Sequence, residues 1–170
     1  NLDSEDEGEL FIGCAGGVDT VVTFAYHNER VPSNSKAFKI SVSGLKGGHS
    51  GDDIDKGLGN SIKIINRFLW KGTNLFDLRL ANLDGGNLRN AIAREAYAVF
   101  VVHEDDAEGM KDLFNALSSE IAFELSVTEP NLKITMEQTE MPEWVINEPT
   151  QFDLLNSIYA CPHGVIAMSS

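Results

Sequence analysis

Between residues 36 and 43 apolar and polar side chains alternate, with Phe38, Ile40 and Val42 against Lys39, Ser41 and Ser43. A period of two is that of a strand with one wet face. Residues 18–30 read as an N-terminal strand, with Val22, Phe24 and Tyr26 sharing a face. From residue 54 the period lengthens. Ile54, Leu58, Ile62 and Ile65 recur at three- and four-residue steps, which predicts a helix running to about Trp70. Asp52 or Asp53 would cap its start, and Lys71-Gly72 would end it with a cation and then a glycine. Phe76, Leu78 and Leu80 alternate with Asp77 and Arg79 as the next strand, and residues 97–102 are apolar on both faces, the mark of a central strand.

Asp105-Asp106-Ala107-Glu108 has capping-box spacing and opens a helix whose stripe is Met110, Leu113, Phe114, Leu117, Ile121 and Leu125. Pro130 stops it, and Leu132, Ile134 and Met136 make a further strand. Residues 36–138 thus read βαββαβ, an α+β fold: a ferredoxin-like sandwich with two helices on one face of an antiparallel sheet. The N-terminal strand precedes it, and a C-terminal helix from Pro149 to about Ala160 follows.

Composition narrows the partners. The chain has 170 residues with a formal net charge of -13, so neither nucleic acid nor an anionic membrane surface is expected to bind it. No apolar run approaches 20 residues and no charged-then-apolar leader opens the chain, so a membrane span and export are not expected and a cytoplasmic location is. Cys14 and Cys161 lie in no CxxC spacing and read as free thiols. A chain that opens at Asn1 and stops at Ser169-Ser170 reads as a piece of a longer protein.

Two glycine-rich turns carry the candidate chemistry. Gly47-Gly48-His49-Ser50-Gly51 sits where the strand pattern gives way to the helix pattern, and Gly85-Gly86-Asn87-Leu88-Arg89-Asn90 follows about 40 residues later. His49, flanked by four small residues, is either a tolerated turn histidine or an approachable imidazole able to stabilise charge developing on a carbonyl oxygen. Asn90 is either a turn former that bonds its own backbone or an amide aimed at a substrate carboxylate or carbonyl. The acidic run from Asp3 to Glu9 mimics a calcium loop, but the twelfth position, which requires a bidentate glutamate, is Cys14. Asp3 is then part of a solvated edge or one ligand of a metal site completed elsewhere. His27 and His103 read as strand-end surface residues and His163 as a turn residue.

Three motifs in order resemble a known family: the run from Asn1 to Glu9 with Gly13-Cys14-Ala15-Gly16-Gly17, then Ser43 to Gly51, then Gly85 to Ile92. Each is similar to the aminoacylhistidine (Xaa-His) dipeptidases, relatives of carnosinase among the co-catalytic di-zinc peptidases, and Pro162-His163-Gly164-Val165 extends the likeness. The resemblance implies a hydrolase with two zinc ions in a catalytic domain and a lid domain inserted into it. Residues 1–17 would be the end of the catalytic domain and a hinge, and residues 18–170 a lid truncated at its C-terminal end. Asp3 would be a zinc ligand, His49 the lid histidine that stabilises the tetrahedral intermediate, and Asn90 the lid asparagine that binds substrate. The implied partners are a small peptide such as β-alanyl-histidine, the catalytic domain of the same polypeptide and a second copy in a homodimer. The family's proline after the Asn-Ala-Ile turn is Ala93 here. Other zinc ligands and the general-base glutamate would lie outside this chain, so the chain alone is expected to be inactive. The competing reading is a ferredoxin-like regulatory or dimerisation module that binds a small ligand without catalysis.

Overall fold

The computed structural model describes Gly8 and residues 16–167; Asp3, Cys14 and the apolar run 10–13 lie outside the described residues. The elements run β1 (Asn28–Arg30), β2 (Ser35–Ser43), α1 (Ser61–Phe76), β3 (Arg79–Gly85), β4 (Ala96–His103), α2 (Ala107–Glu124), β5 (Lys133–Gln138), β6 (Trp144–Ile146) and α3 (Glu148–Ala160). Four strands form one antiparallel sheet in the order β3-β4-β2-β5, and β1 pairs with β6 in a small second sheet. The βαββαβ reading and its antiparallel sheet are what the chain adopts.

The alternation in β2 does what its period implies. Phe38, Ile40 and Val42 are buried in the main core with Leu80, Ala98 and Phe100 from neighbouring strands. Ile64, Ile65, Phe68 and Leu69 of α1 close over them, as do Met110, Leu117 and Ile121 of α2. The apolar back of β4 has its own explanation: Val101 packs with Ala37 and with Val145 of β6 on the other face of the sheet. The small sheet therefore lids part of the second face. Helix α3 docks through Gln151, whose amide nitrogen donates to Leu78 O (2.7 Å) and Thr73 Oγ1 (3.0 Å) while its oxygen accepts from Leu80 N (2.7 Å).

Several boundaries differ from expectation, each for a physical reason. The first helix begins at Ser61, capped by the Asn60 side chain, which accepts from Ile62 N and Lys63 N. Asp53 does not cap it, because its carboxylate turns back to the N–H of His49. Gly72 lies inside α1, where an added Cβ would come within 2.8 Å of Leu78 Cδ1; it is a packing glycine and no helix end. The helix ends at Phe76, and Asp77 takes the left-handed conformation (φ 49°) that stops it. Of the strand expected over residues 18–30, only Asn28–Arg30 pairs, since its partner β6 is three residues long. No helix among the described residues is long and apolar enough to cross a membrane.

Candidate functional site

The two glycine-rich turns meet. His49 and Ala91 form an isolated antiparallel bridge. Around it, the N–H of Ser50 donates to Asn90 O (3.0 Å) and the N–H of Ile92 to Gly48 O (2.8 Å). Residues opposite each other across such a bridge sit about 4.5–5.5 Å apart at Cα. His49 and Asn90 are therefore near neighbours, although their sequence separation would allow any distance. Both are exposed.

The glycines make this approach sterically feasible. Gly47 has φ +69° and Gly48 φ +156°, conformations that side chains rarely adopt. A Cβ at Gly47 would overlap Arg94 Cγ, and one at Gly48 would come within 2.7 Å of Asp53 Cβ. The turn is thus pressed against both its neighbours, with the imidazole as its one large projecting group. That side chain is 54% exposed. It is not packed into the core.

Hydrogen bonds define the ring's chemical state. Nδ1 of His49 accepts from the N–H groups of Gly51 (3.1 Å) and Asp52 (3.3 Å). A nitrogen that accepts carries no proton, so the neutral ring holds its proton on Nε2. The two backbone donors consequently leave Nε2–H as the group the ring offers to a ligand. An N–H at that position suits a carbonyl or carboxylate oxygen and can stabilise charge as it develops.

Asp53 fixes the backbone beneath the ring. Its Oδ2 accepts from His49 N (2.6 Å), its Oδ1 from Lys56 Nζ (2.5 Å), and its own N–H donates to His49 O (3.0 Å). Lys56 first, and then the His49 N–H, hold its carboxyl below the ordinary value of 3.8. A depressed folded-state pKa means the contribution is present above the ordinary value and is lost only as pH falls below it. The clasp on His49 therefore persists from neutral pH through the ordinary carboxylate range. Asp53→Asn should loosen the turn already at pH 7, seen as faster amide exchange at His49 and Ser50; unchanged exchange there would show that the clasp is dispensable.

The site does not enclose a ligand by itself. A hollow of about 510 Å³ lies beside the second turn, lined by Gly85, Gly86, Leu88, Ala93 and Tyr97 among others. Another of about 570 Å³ lies between α1 and α3. Neither is lined by His49 or Asn90. The pair stands on exposed turns and needs an opposing surface to complete a pocket.

The remaining candidates fall elsewhere. His27 lies 3.7 Å from Glu29, and His103 closes β4 while its ring accepts from Asp105 N (3.3 Å). His163 approaches Leu58 O (3.1 Å) and Asn60 Nδ2 (3.4 Å), bracing the start of α1. Cys161 is an exposed free thiol. Among the described residues no three His, Cys, Asp or Glu side chains lie close enough to hold a metal ion. Sequence reasoning assigns Asp53 only to a helix cap and misses its bond to His49, although its position four residues after His49 is the available signal for such a turn. It also passed over Glu129, for which no local signal exists.

Comparison with known proteins adds context to this geometry. Residues 33–129 match the family of peptidase dimerisation domains. The chain is 39% identical over 169 residues to the cytosol non-specific dipeptidase of Escherichia coli (strain K12), covering 99% of this chain and 35% of that protein. It superposes on aminoacylhistidine dipeptidase from Vibrio alginolyticus with a TM-score of 0.82 at 34% identity, over 86% of this chain and 30% of the other. The chain spans about a third of the length of the curated relative it matches, given that 35% coverage.

Proposed function

Because the chain belongs to the family of peptidase dimerisation domains, we propose that it is the lid of a zinc-dependent dipeptidase that hydrolyses Xaa-His dipeptides such as β-alanyl-histidine. Residues 1–17, with Asp3 as a zinc ligand, then close the catalytic domain, and residues 18–170 form the lid. The observation that carries this reading is the bridge that brings the exposed turn of His49 against the exposed turn of Asn90. A regulatory module has no need of a ring whose Nδ1 is occupied by backbone donors and whose Nε2–H is left to a ligand.

In this reading the lid closes over a dipeptide bound on the catalytic domain. His49 donates its Nε2–H to the scissile carbonyl oxygen as negative charge builds there, a contact stronger in the transition state than in the ground state. Asn90 donates its amide N–H to the substrate's carboxylate or carbonyl and sets its register. Asp53 keeps the His49 backbone in place. When bound, zinc would supply Lewis acidity toward the carbonyl and a nucleophile at neutral pH. Among the described residues no three such ligands lie together; in this reading the zinc ligands beyond Asp3 are supplied by other parts of the polypeptide, and the isolated chain is expected to be inactive.

The relative named above as a cytosol dipeptidase supports a cytoplasmic peptidase, and the family's dimerisation role supports a homodimer. In the full-length enzyme Asn90→Ala should lower kcat/KM roughly tenfold to a hundredfold with KM raised, the size of a lost hydrogen bond to a charged group. Steady-state constants equal to wild type would remove Asn90 from the site.

A further inference from the structure

We infer that Glu129 is a positioning residue for His49, acting through the base of the histidine's loop; this rests on the function proposed above. Glu129 is 2% exposed and lies in the turn that follows α2. Its Oε2 accepts from Lys46 N (2.8 Å) and its Oε1 from Gly59 N (2.9 Å). Those two residues flank the loop on either side of His49. One carboxylate thus pins both feet of the segment that carries the imidazole.

The choice of a carboxylate here is informative. Burying an ionised group is costly unless its lone pairs are met. The end of α2 gives an anion no help, but Oε1 sits on the N–H of Gly59, just before the Asn60 cap of α1, where the positive end of that helix favours a carboxylate. An ordinary turn would be closed more cheaply by a neutral group. A carboxylate is the side chain that can accept from two separate backbone donors at once, one on each oxygen, and Glu129 is used in that way.

The surrounding packing makes the feet rigid and leaves the tip to follow them. A Cβ on Gly59 would come within 2.8 Å of Leu45 Cδ2 and 3.4 Å of Glu129 Cγ. A Cβ on Gly44 would overlap the carbonyl oxygen of Asn131. The seat formed by residues 129–131 is therefore filled to contact. Above it, residues 49–56 are exposed or half-buried turns. His49 is then held at two heights, by Asn90 and Ile92 near the ring and by Glu129 at the base. Releasing the base changes where the ring reaches.

The test is a double-mutant cycle in the full-length, zinc-loaded enzyme. Glu129→Gln is nearly isosteric, but its amide nitrogen opposes one of the two backbone donors, so it should lower kcat about tenfold with KM within about twofold. Glu129→Ala should lower kcat about a hundredfold, the scale of a small misplacement of a catalytic group. In a His49→Ala background Glu129→Gln should change kcat by less than about twofold, because the group it positions is gone. Zinc content should match wild type throughout. Equal fold-losses with and without His49 would overturn the positioning role and mark Glu129 as a general stability residue, as would wild-type kcat for Glu129→Gln. Wild-type turnover of His49→Ala alone would instead overturn the proposed function, so the two failures are distinguishable. Should Glu129→Ala not fold, the glutamine variant decides the question.

Discussion

In the full-length enzyme His49→Ala should lower kcat about 10²–10³-fold while KM and zinc content stay near wild type. The magnitude is that of removing one preorganised donor from an oxyanion site. The selectivity for kcat follows from when the contact forms. A neutral Nε2–H meets a ground-state carbonyl weakly and a developing oxyanion strongly, so its loss raises the barrier and leaves substrate binding nearly alone. Zinc content should hold because in the proposed role the ring donates from Nε2 and ligates no metal, its Nδ1 already accepting from Gly51 and Asp52. Steady-state kinetics with metal analysis on the same preparation checks both parts. A variant that turned over at the wild-type rate would end the assignment of His49.

Gly44→Ala should destabilise this chain by about 3–4 kcal/mol, measured as the urea midpoint or as a fall of about 10 °C in the melting temperature. Gly44 has φ +78°, and its added methyl would overlap Asn131 O while standing 3.0 Å from Asn131 C. The left-handed backbone alone costs an L-residue about 1–2 kcal/mol. The rest comes from separating two backbone segments that cannot yield as a flexible side chain would. Since Gly44 follows β2 directly and Asn131 precedes β5, relief requires opening the register between two paired strands. A loss below about 1 kcal/mol would show that the junction is softer than its contacts imply.

Much of this fold is legible in local pattern. Phe38, Ile40 and Val42 advertise a half-buried strand, and Met110, Leu117 and Ile121 advertise a buried helical stripe, because each period is set by backbone geometry alone. Where one residue has two uses, pattern misleads. Asp53 has the chemistry of a helix cap and spends it on His49, while Asn60, less conspicuous, caps α1. Gly72 resembles a helix terminus and is instead a slot for Leu78 and Met110. Val22 and Tyr26 alternate like strand residues but stay exposed, since the strand that pairs near them is only three residues long.

The site divides in the same way. Its components, a histidine and an asparagine on small-residue turns, stand out by composition. Their juxtaposition does not, because it depends on the bridge between His49 and Ala91 and on sheet order, which brings β2 beside β4. The tautomer is equally invisible from the chain, being set by backbone N–H groups whose direction only the folded turn defines. Glu129, joined to Lys46 across a wide sequence gap, belongs to the same class of long-range facts.

The most direct test uses a phosphinic analogue of an Xaa-His dipeptide, a mimic of the tetrahedral state, on the full-length enzyme and its His49→Ala variant. If the imidazole meets charge that exists only in that state, the inhibition constant should rise in proportion to the loss of kcat/KM, about 10²-fold or more, while the product histidine binds equally to both proteins. An inhibition constant unchanged by the substitution, set against a large loss in turnover, would contradict the oxyanion role of His49.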